Sequence, residues 1–338
     1  MQILRTACWL AAAGSAALHC AEAEPPAPSV SPAGETGVGA DATAEIDAAP
    51  RATGTPDPVP LPGGGTTWSL VSAAPPGDLE SLGDGTGPVP WVAARAELYR
   101  RAVDVWVPVA LPATGHPYAI WGASTEDVWA VGRDGRAWRW SDGRWREWET
   151  PTGRALLAVW GASAGDVWAA GEGGTLLRFD GTEWIRVVAP ADRALRAVHG
   201  TGHDDVWAAG DGGTLVHWDG IRWTAYDSGT DRGLHGVWCA ARDNAWAVGA
   251  EGTILRWDGL AWSVVESGTS VSLAAVAGRG AAEVWAVGAE GTILRWNGAR
   301  WSEEPSPCPP TRSFSDVTVS TTGDVWAAGS CRLLRRER

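Results

Sequence analysis

The chain of 338 residues has no lysine; its 27 basic residues are all arginine. Set against 40 carboxylates they leave a net charge of −13. A surface so short of positive charge excludes non-specific binding to DNA or RNA, which needs basic groups against the phosphates. Long hydrophobic runs are missing as well. The apolar N-terminal stretch from Thr6 to Leu18 has thirteen residues, too few to cross a bilayer, so no transmembrane segment is expected. Phenylalanine and tyrosine are scarce, 2 and 3 residues against 24 tryptophans, and that imbalance needs a cause. No nucleophile elbow is expected, and no phosphate loop, dinucleotide fingerprint, zinc-type cysteine spacing or H-E-x-x-H helix occurs. No cofactor and no catalytic residue are therefore assigned, and an enzyme is not expected. A carboxylate pair for glycoside hydrolysis is the one catalytic route left open.

What is present begins with an export signature, "MQILRTACWLAAAGSAALHCAEAEPP". Arg5 supplies the positive start, Thr6 to Leu18 the apolar region, and Ala21 and Ala23 the small residues before a cleavage site. Residues 1–23 are read as a signal peptide, with a lipoprotein anchor through Cys20 as the alternative, and the protein as periplasmic, extracellular or cell-surface. From Glu24 to Gly65 there are nine Pro, seven Gly and eight Ala with no aromatic residue. Such a stretch cannot bury enough apolar surface to offset the entropy of ordering, and it reads as a flexible tether. Cys239, Cys308 and Cys331 lie beyond the tether. An odd count allows one disulfide and a spare thiol, and Cys308 with Cys331, which share the last repeat, is the expected pair.

The tryptophans are periodic. Trp129, Trp168, Trp207, Trp246, Trp285 and Trp326 are spaced by 39, 39, 39, 39 and 41 residues, with a weaker copy at Trp91. A second series runs Trp68, Trp106, Trp145, Trp184, Trp223, Trp262 and Trp301. Each repeat holds four short apolar segments, in the fifth "LHGVW", "AWAVG", "TILRW" and "AWSVV", separated by Gly, Asp and Asn turns. Four antiparallel strands in a unit of this length form a propeller blade. The expectation for residues 66–338 is an all-β, seven-bladed β-propeller. Its lone N-terminal strand near Trp68 completes the last blade, which lacks a fourth strand, and no sheet edge is left open.

Comparing the copies separates scaffold from variation. Asp127, Asp166, Asp205, Glu283 and Asp324 each lie two residues before the second-strand tryptophan, and Arg100, Arg139, Arg178, Arg256, Arg295 and Arg335 share one place in the third strand. Pairing through a three-residue turn sets each arginine opposite that tryptophan, with the carboxylate diagonal to it. A guanidinium over an indole, tied to a carboxylate, is expected in most blades as scaffold.

The informative positions break the repeat. First strands line a propeller's axis, and there the end of the strand reads Trp121, Trp160, His199, Trp238, Ala277 and Thr318. Three residues earlier the chain carries Tyr118, Leu157, Arg196, His235, Ala274, Ser315 and, in the weak first copy, Glu80. Tyr118, Trp121, Trp160, Arg196, His199, His235 and Trp238 are the candidate ligand-binding residues, at a channel or its mouth. His199 and His203 beside Asp204 and Asp205 are metal-ligand types, but no third ligand follows from the spacing, so no metal is assigned.

At "DVWAAGEGGTLLRFDGTEW" and "DNAWAVGAEGTILRWDGLAWS" the chain resembles the Trp-rich propeller repeats of secreted bacterial proteins and is similar to tectonin-type repeats. The likeness covers Trp68 to Arg338 and implies a lectin-like, non-catalytic module that binds a glycan. A scaffold for a cell-surface protein is the alternative partner reading, and a monomer is the expected state.

Overall fold

The structure, a computed structural model, describes residues 67–85, 91–95, 97–103, 105–112 and 115–338. The signal peptide, Cys20 and tether expected within residues 1–65 lie outside the described residues.

Local sequence sets each blade. In blade 5 the run Asn244–Gly249 turns through Ala250–Gly252 into Ile254–Trp257, placing Trp246 opposite Arg256. The turn needs positive φ at its second and third residues, 53° at Glu251 and 67° at Gly252. Glycine adopts this conformation at little cost, and a residue with a Cβ only under strain. The next turn is held by the Asp258 carboxylate, which accepts from the Leu260 and Ala261 amides at 2.9 Å, before Trp262–Val264 closes the blade.

Seven such sheets follow in chain order, with first strands at Ser81–Leu82, Pro117–Ser124, Leu156–Ser163, Leu195–Gly202, Leu234–Ala241, Leu273–Gly280 and Phe314–Val319. Neighbouring first strands pack side by side, and the series returns from blade 7 to blade 1, so the ring is closed. The last blade takes its outer strand from the N-terminal side, where Ser69–Leu70 pairs antiparallel with Arg332–Arg336. The fold is the seven-bladed all-β propeller that the repeat implies. One detail departs from four strands per blade: Asp84–Gly85 runs parallel to the first strand of blade 2 and adds a fifth strand there.

The tryptophans make the core between blades. All seven second-strand indoles are among the most buried side chains. Five of them, from Trp91 to Trp246, meet rings from the third and fourth strands of the next blade, as Trp168 does with Trp218 at 5.2 Å and Trp223 at 5.1 Å. Many of these contacts are edge-to-face, the arrangement that ring quadrupoles favour. Where the ring closes, arginine replaces the third-strand aromatic: Arg336 lies over Trp285 at 5.7 Å and Arg101 over Trp326 at 5.4 Å. Cys308 and Cys331 are joined by a disulfide across a sequence separation of 23, and Cys239 is a buried free thiol.

The arginine and carboxylate series occupy one register. Arg139, Arg178, Arg256 and Arg335 lie 5.3 Å over Trp129, Trp168, Trp246 and Trp326; Arg295 lies 5.7 Å over Trp285 and Arg100 5.8 Å over Trp91. Asp127 and Asp166 each take both the Nε and Nη2 of their arginine, Glu283 and Asp324 take one nitrogen each, and Arg100 turns to Glu126. Blade 4 differs: Asp205, only 2% exposed, meets His217 at 2.7 Å in place of an arginine. Blade 5 has Asn244 at the carboxylate position, so Arg256 keeps its indole without that partner.

Candidate functional site: the central channel and its mouth

The first strands place two rings of side chains on the axis. Near the face that carries the loops between blades stand Glu80, Tyr118, Leu157, Arg196, His235 and Ser315, around a mouth of ≈ 340 Å³. Deeper stand Trp121, Trp160, His199, Trp238, Ala277 and Thr318, which with the mouth residues and Asp316 line a channel of ≈ 380 Å³. The seven candidate residues therefore share one channel but divide between its two levels.

The deeper level is closed. Trp121 and Trp160 are only 6% and 7% exposed, which departs from the expectation of open stacking faces. The reason is the glycine after each register position in the next blade. A Cβ on Gly161 would lie 2.6 Å from Trp121 Cη2, and one on Gly200 2.8 Å from Trp160 Cη2, so each indole is seated against the neighbouring strand. Trp238 sits over Gly278 in the same way but is half-buried. His199 lies between Trp160 and Trp238, with ring centroids at 5.5 and 6.3 Å. Its Nδ1 accepts the Cys239 amide at 3.2 Å, which requires the Nε2–H tautomer. Burial pushes its pKa down to about 4, so this histidine is neutral at pH 7 and links blades 4 and 5. Burial likewise pushes the Cys239 thiol well up and keeps it from acting as a thiolate.

The mouth is more open and more varied. Asp211 takes the Nε and Nη2 of Arg196, the latter at 3.0 Å. That contact holds the guanidinium in place and leaves its Nη1 edge. His235 donates from Nδ1 to the Leu273 carbonyl at 2.9 Å, leaving Nε2. Tyr118 accepts from Arg133 Nε at 3.3 Å. Across the opening, burial pushes Glu80 up to about 6, against the pull of Arg95, and its Oε2 has no hydrogen-bond partner among the described residues.

Two of these features escaped the repeat pattern. Asp316 stands where other blades carry Ala119, Ala158, Ala197, Gly236 or Ala275. It accepts the Leu82 amide at 2.7 Å and the Val317 amide at 2.8 Å, fastening blade 7 to blade 1, and burial pushes it up to about 6. A carboxylate in an alanine register is a signal that sequence comparison carries. Gly161–Gly165 spells G-x-S-x-G, the spacing of a nucleophile elbow. Here it joins strand to strand, Leu156–Ser163 to Asp166–Gly171, instead of strand to helix, so no elbow forms. His203 is not among the residues lining the channel. No three His, Cys, Asp or Glu converge as metal ligands among the described residues.

No protein-family model matches the chain, and no curated protein matches it. Solved structures do. A YCF48 bound to D1 peptide is similar at 18% identity and a TM-score of 0.65, covering 82% of this chain and 96% of that one. Virginiamycin B lyase from Staphylococcus aureus is 14% identical with a TM-score of 0.67, covering 77% and 94%. The WD40 repeats of RRP9 are 11% identical with a TM-score of 0.68, covering 80% and 97%. Those proteins include one solved with a bound peptide and a lyase, so at these identities the likeness speaks for architecture. The chain is a seven-bladed β-propeller.

Proposed function

We propose that this chain is an exported, non-catalytic binding protein that takes peptide segments at the loop-side mouth of its channel. The observation that carries the reading is the mouth ring. Every scaffold register is filled by near-copies, whereas Glu80, Tyr118, Leu157, Arg196, His235 and Ser315 are all different. A concave opening with a few convergent polar groups beside apolar ones is the usual form of a binding site. The likeness to a propeller solved with a bound peptide favours that ligand class. The Arg196–Asp211 and His235–Leu273 contacts pre-organise a guanidinium donor and an imidazole acceptor for recognition. The Cys308–Cys331 bond supports export, since disulfides persist in oxidising compartments. The same reading keeps residues 1–23 as a signal peptide and 24–65 as the tether.

Carbohydrate is the second reading. It rests on the resemblance to tectonin-type repeats and on Trp238, the most exposed indole of the deeper ring. A displayed library of random peptides, panned against the full chain, tests the first reading. A Tyr118→Ala Arg196→Ala double variant of unchanged circular dichroism should lose at least about tenfold in affinity for the selected peptides. Equal binding by that variant would move the site away from the mouth. Glycan-array binding that Trp238→Ala abolishes, with no peptide enriched, would replace the first reading by the second.

A further inference from the structure

The mouth is electrically two-ended. Half a turn of a seven-blade ring is three and a half blades, so blade 1 faces the gap between blades 4 and 5. Blade 1 carries Glu80, and blades 4 and 5 carry Arg196 and His235. The unlike groups thus stand across a diameter, flanked on one side by Tyr118 and Leu157.

The atoms left over at each pole are complementary in kind. Glu80 Oε2 is a buried acceptor with no partner among the described residues, and Arg95 is engaged with Asp78 at 2.6 Å. A buried carboxylate oxygen without a donor is costly, and a ligand that donates to it removes the cost. Opposite, Asp211 occupies one edge of Arg196 through Nε and Nη2, so Nη1 still offers donors in a fixed direction. His235 donates from Nδ1 to the Leu273 carbonyl, so its neutral ring offers Nε2 as an acceptor beside that pole. The mouth, of ≈ 340 Å³, falls in the size range of small-ligand sites.

We propose that the mouth binds a short free peptide as a zwitterion, with its terminal ammonium against Glu80 and its terminal carboxylate against Arg196. The proposal rests on the peptide reading above and narrows it to ligands with both termini free. An ammonium placed there donates to the unpaired oxygen and holds the carboxyl ionised. The Arg196–Asp211 pair makes the carboxylate pole directional, and the Tyr118–Leu157 flank accepts an apolar side chain.

Titration calorimetry of the full chain with the dipeptide Ala-Phe, its N-acetyl form, its C-terminal amide and the doubly capped form tests this. The free dipeptide should bind, and each single cap should weaken binding by roughly 10–100-fold, the value of a hydrogen bond to a charged group. Glu80→Gln should erase the difference between free and N-acetyl forms while keeping the penalty of the amide. Equal binding by free and capped forms would overturn the proposal and leave the peptide reading standing. So would failure of the free dipeptide while longer library peptides bind. Should neither dipeptides nor library peptides bind, both fall together. The capping series uses the unaltered protein and decides the matter even if Glu80→Gln does not fold.

Discussion

An arginine over an indole has part of its charge met by the ring face, and blade 5 holds one that has no carboxylate at the register its neighbours use. Asn244 Oδ1 and Arg256 Nε are both buried without hydrogen-bond partners among the described residues, at the register where Asp166 grips Arg178 at 2.7 and 3.0 Å. Asn244→Asp should restore the ion pair and add about 0.5–1 kcal/mol, seen as a higher urea midpoint at unchanged slope. A lower midpoint would mean that burying the new carboxylate outweighs the pairing. Asp316 gives a prediction in pH. Burial raises its folded pKa to about 6, above an unfolded value of about 3.9. Between those values the folded chain holds the extra proton, so this residue's contribution to stability is present at low pH and lost as pH rises through 6. The stability of the native chain relative to Asp316→Asn should therefore be smaller at pH 7 than at pH 4. An unchanged difference would show that the Leu82 and Val317 amides hold the ionised form without penalty.

Ring closure depends on one of the shortest strands of the fold. Ser69–Leu70 makes two rungs with Arg335 and Leu334, extended by the Val71 amide on the Leu333 carbonyl at 3.0 Å. Two rungs alone are marginal, and what anchors the segment is the residue before it. Trp68 is 7% exposed, packs in one cluster with Trp285, Val287 and the disulfide, and donates from Nε1 to Glu304 at 2.9 Å. Glu304 also meets Arg336 Nε at 3.3 Å. Trp68→Ala should cost about 3–5 kcal/mol, the range for a buried aromatic truncated to alanine. Differential scanning calorimetry would register the loss as a lower Tm for the whole ring. A change below about 1 kcal/mol would show that the outer strand of blade 7 is dispensable.

At the scale of the molecule, the spacing of the tryptophans was enough to count blades, because a blade is a local unit and every copy repeats the same turns. The N-terminal closure was legible for the same reason: Trp68 stood in the fourth-strand register with no blade of its own. What pattern could not reveal was non-local. The parallel bridge at Asp84–Gly85 falls in a turn-like string, "SLGDGTGPVPW", and its partner Trp121–Gly122 is in another blade. The seating of Trp121 and Trp160 depends on Gly161 and Gly200, each one repeat away. A Trp-Gly pair in consecutive copies hinted at that contact, but the side that the indole faces is set by how neighbouring blades pack. Arg196 and His235 reached the mouth as their register required. The tie of Arg196 to Asp211 came from a turn position that reads Glu172, Asp211, Ala250 and Ala289 in successive blades, and that of His235 runs to a backbone carbonyl of the next blade, which no residue pattern marks.

The same closure has a mechanical meaning. Ser69 faces Arg335 in an antiparallel pair, so the two ends of the propeller leave the same sheet at the same end. Traction applied between them breaks rungs one after another, as in a zip, instead of shearing all of them together. A propeller held by its N-terminal side and gripped at its C-terminus would open at blade 7 before any other blade felt the load. The tear would release Ser69–Leu70, then Arg332–Arg336, and reach Cys331. There the covalent bond to Cys308 carries the force past the second strand and into the body of the ring, a rip-stop placed one residue inside the seam.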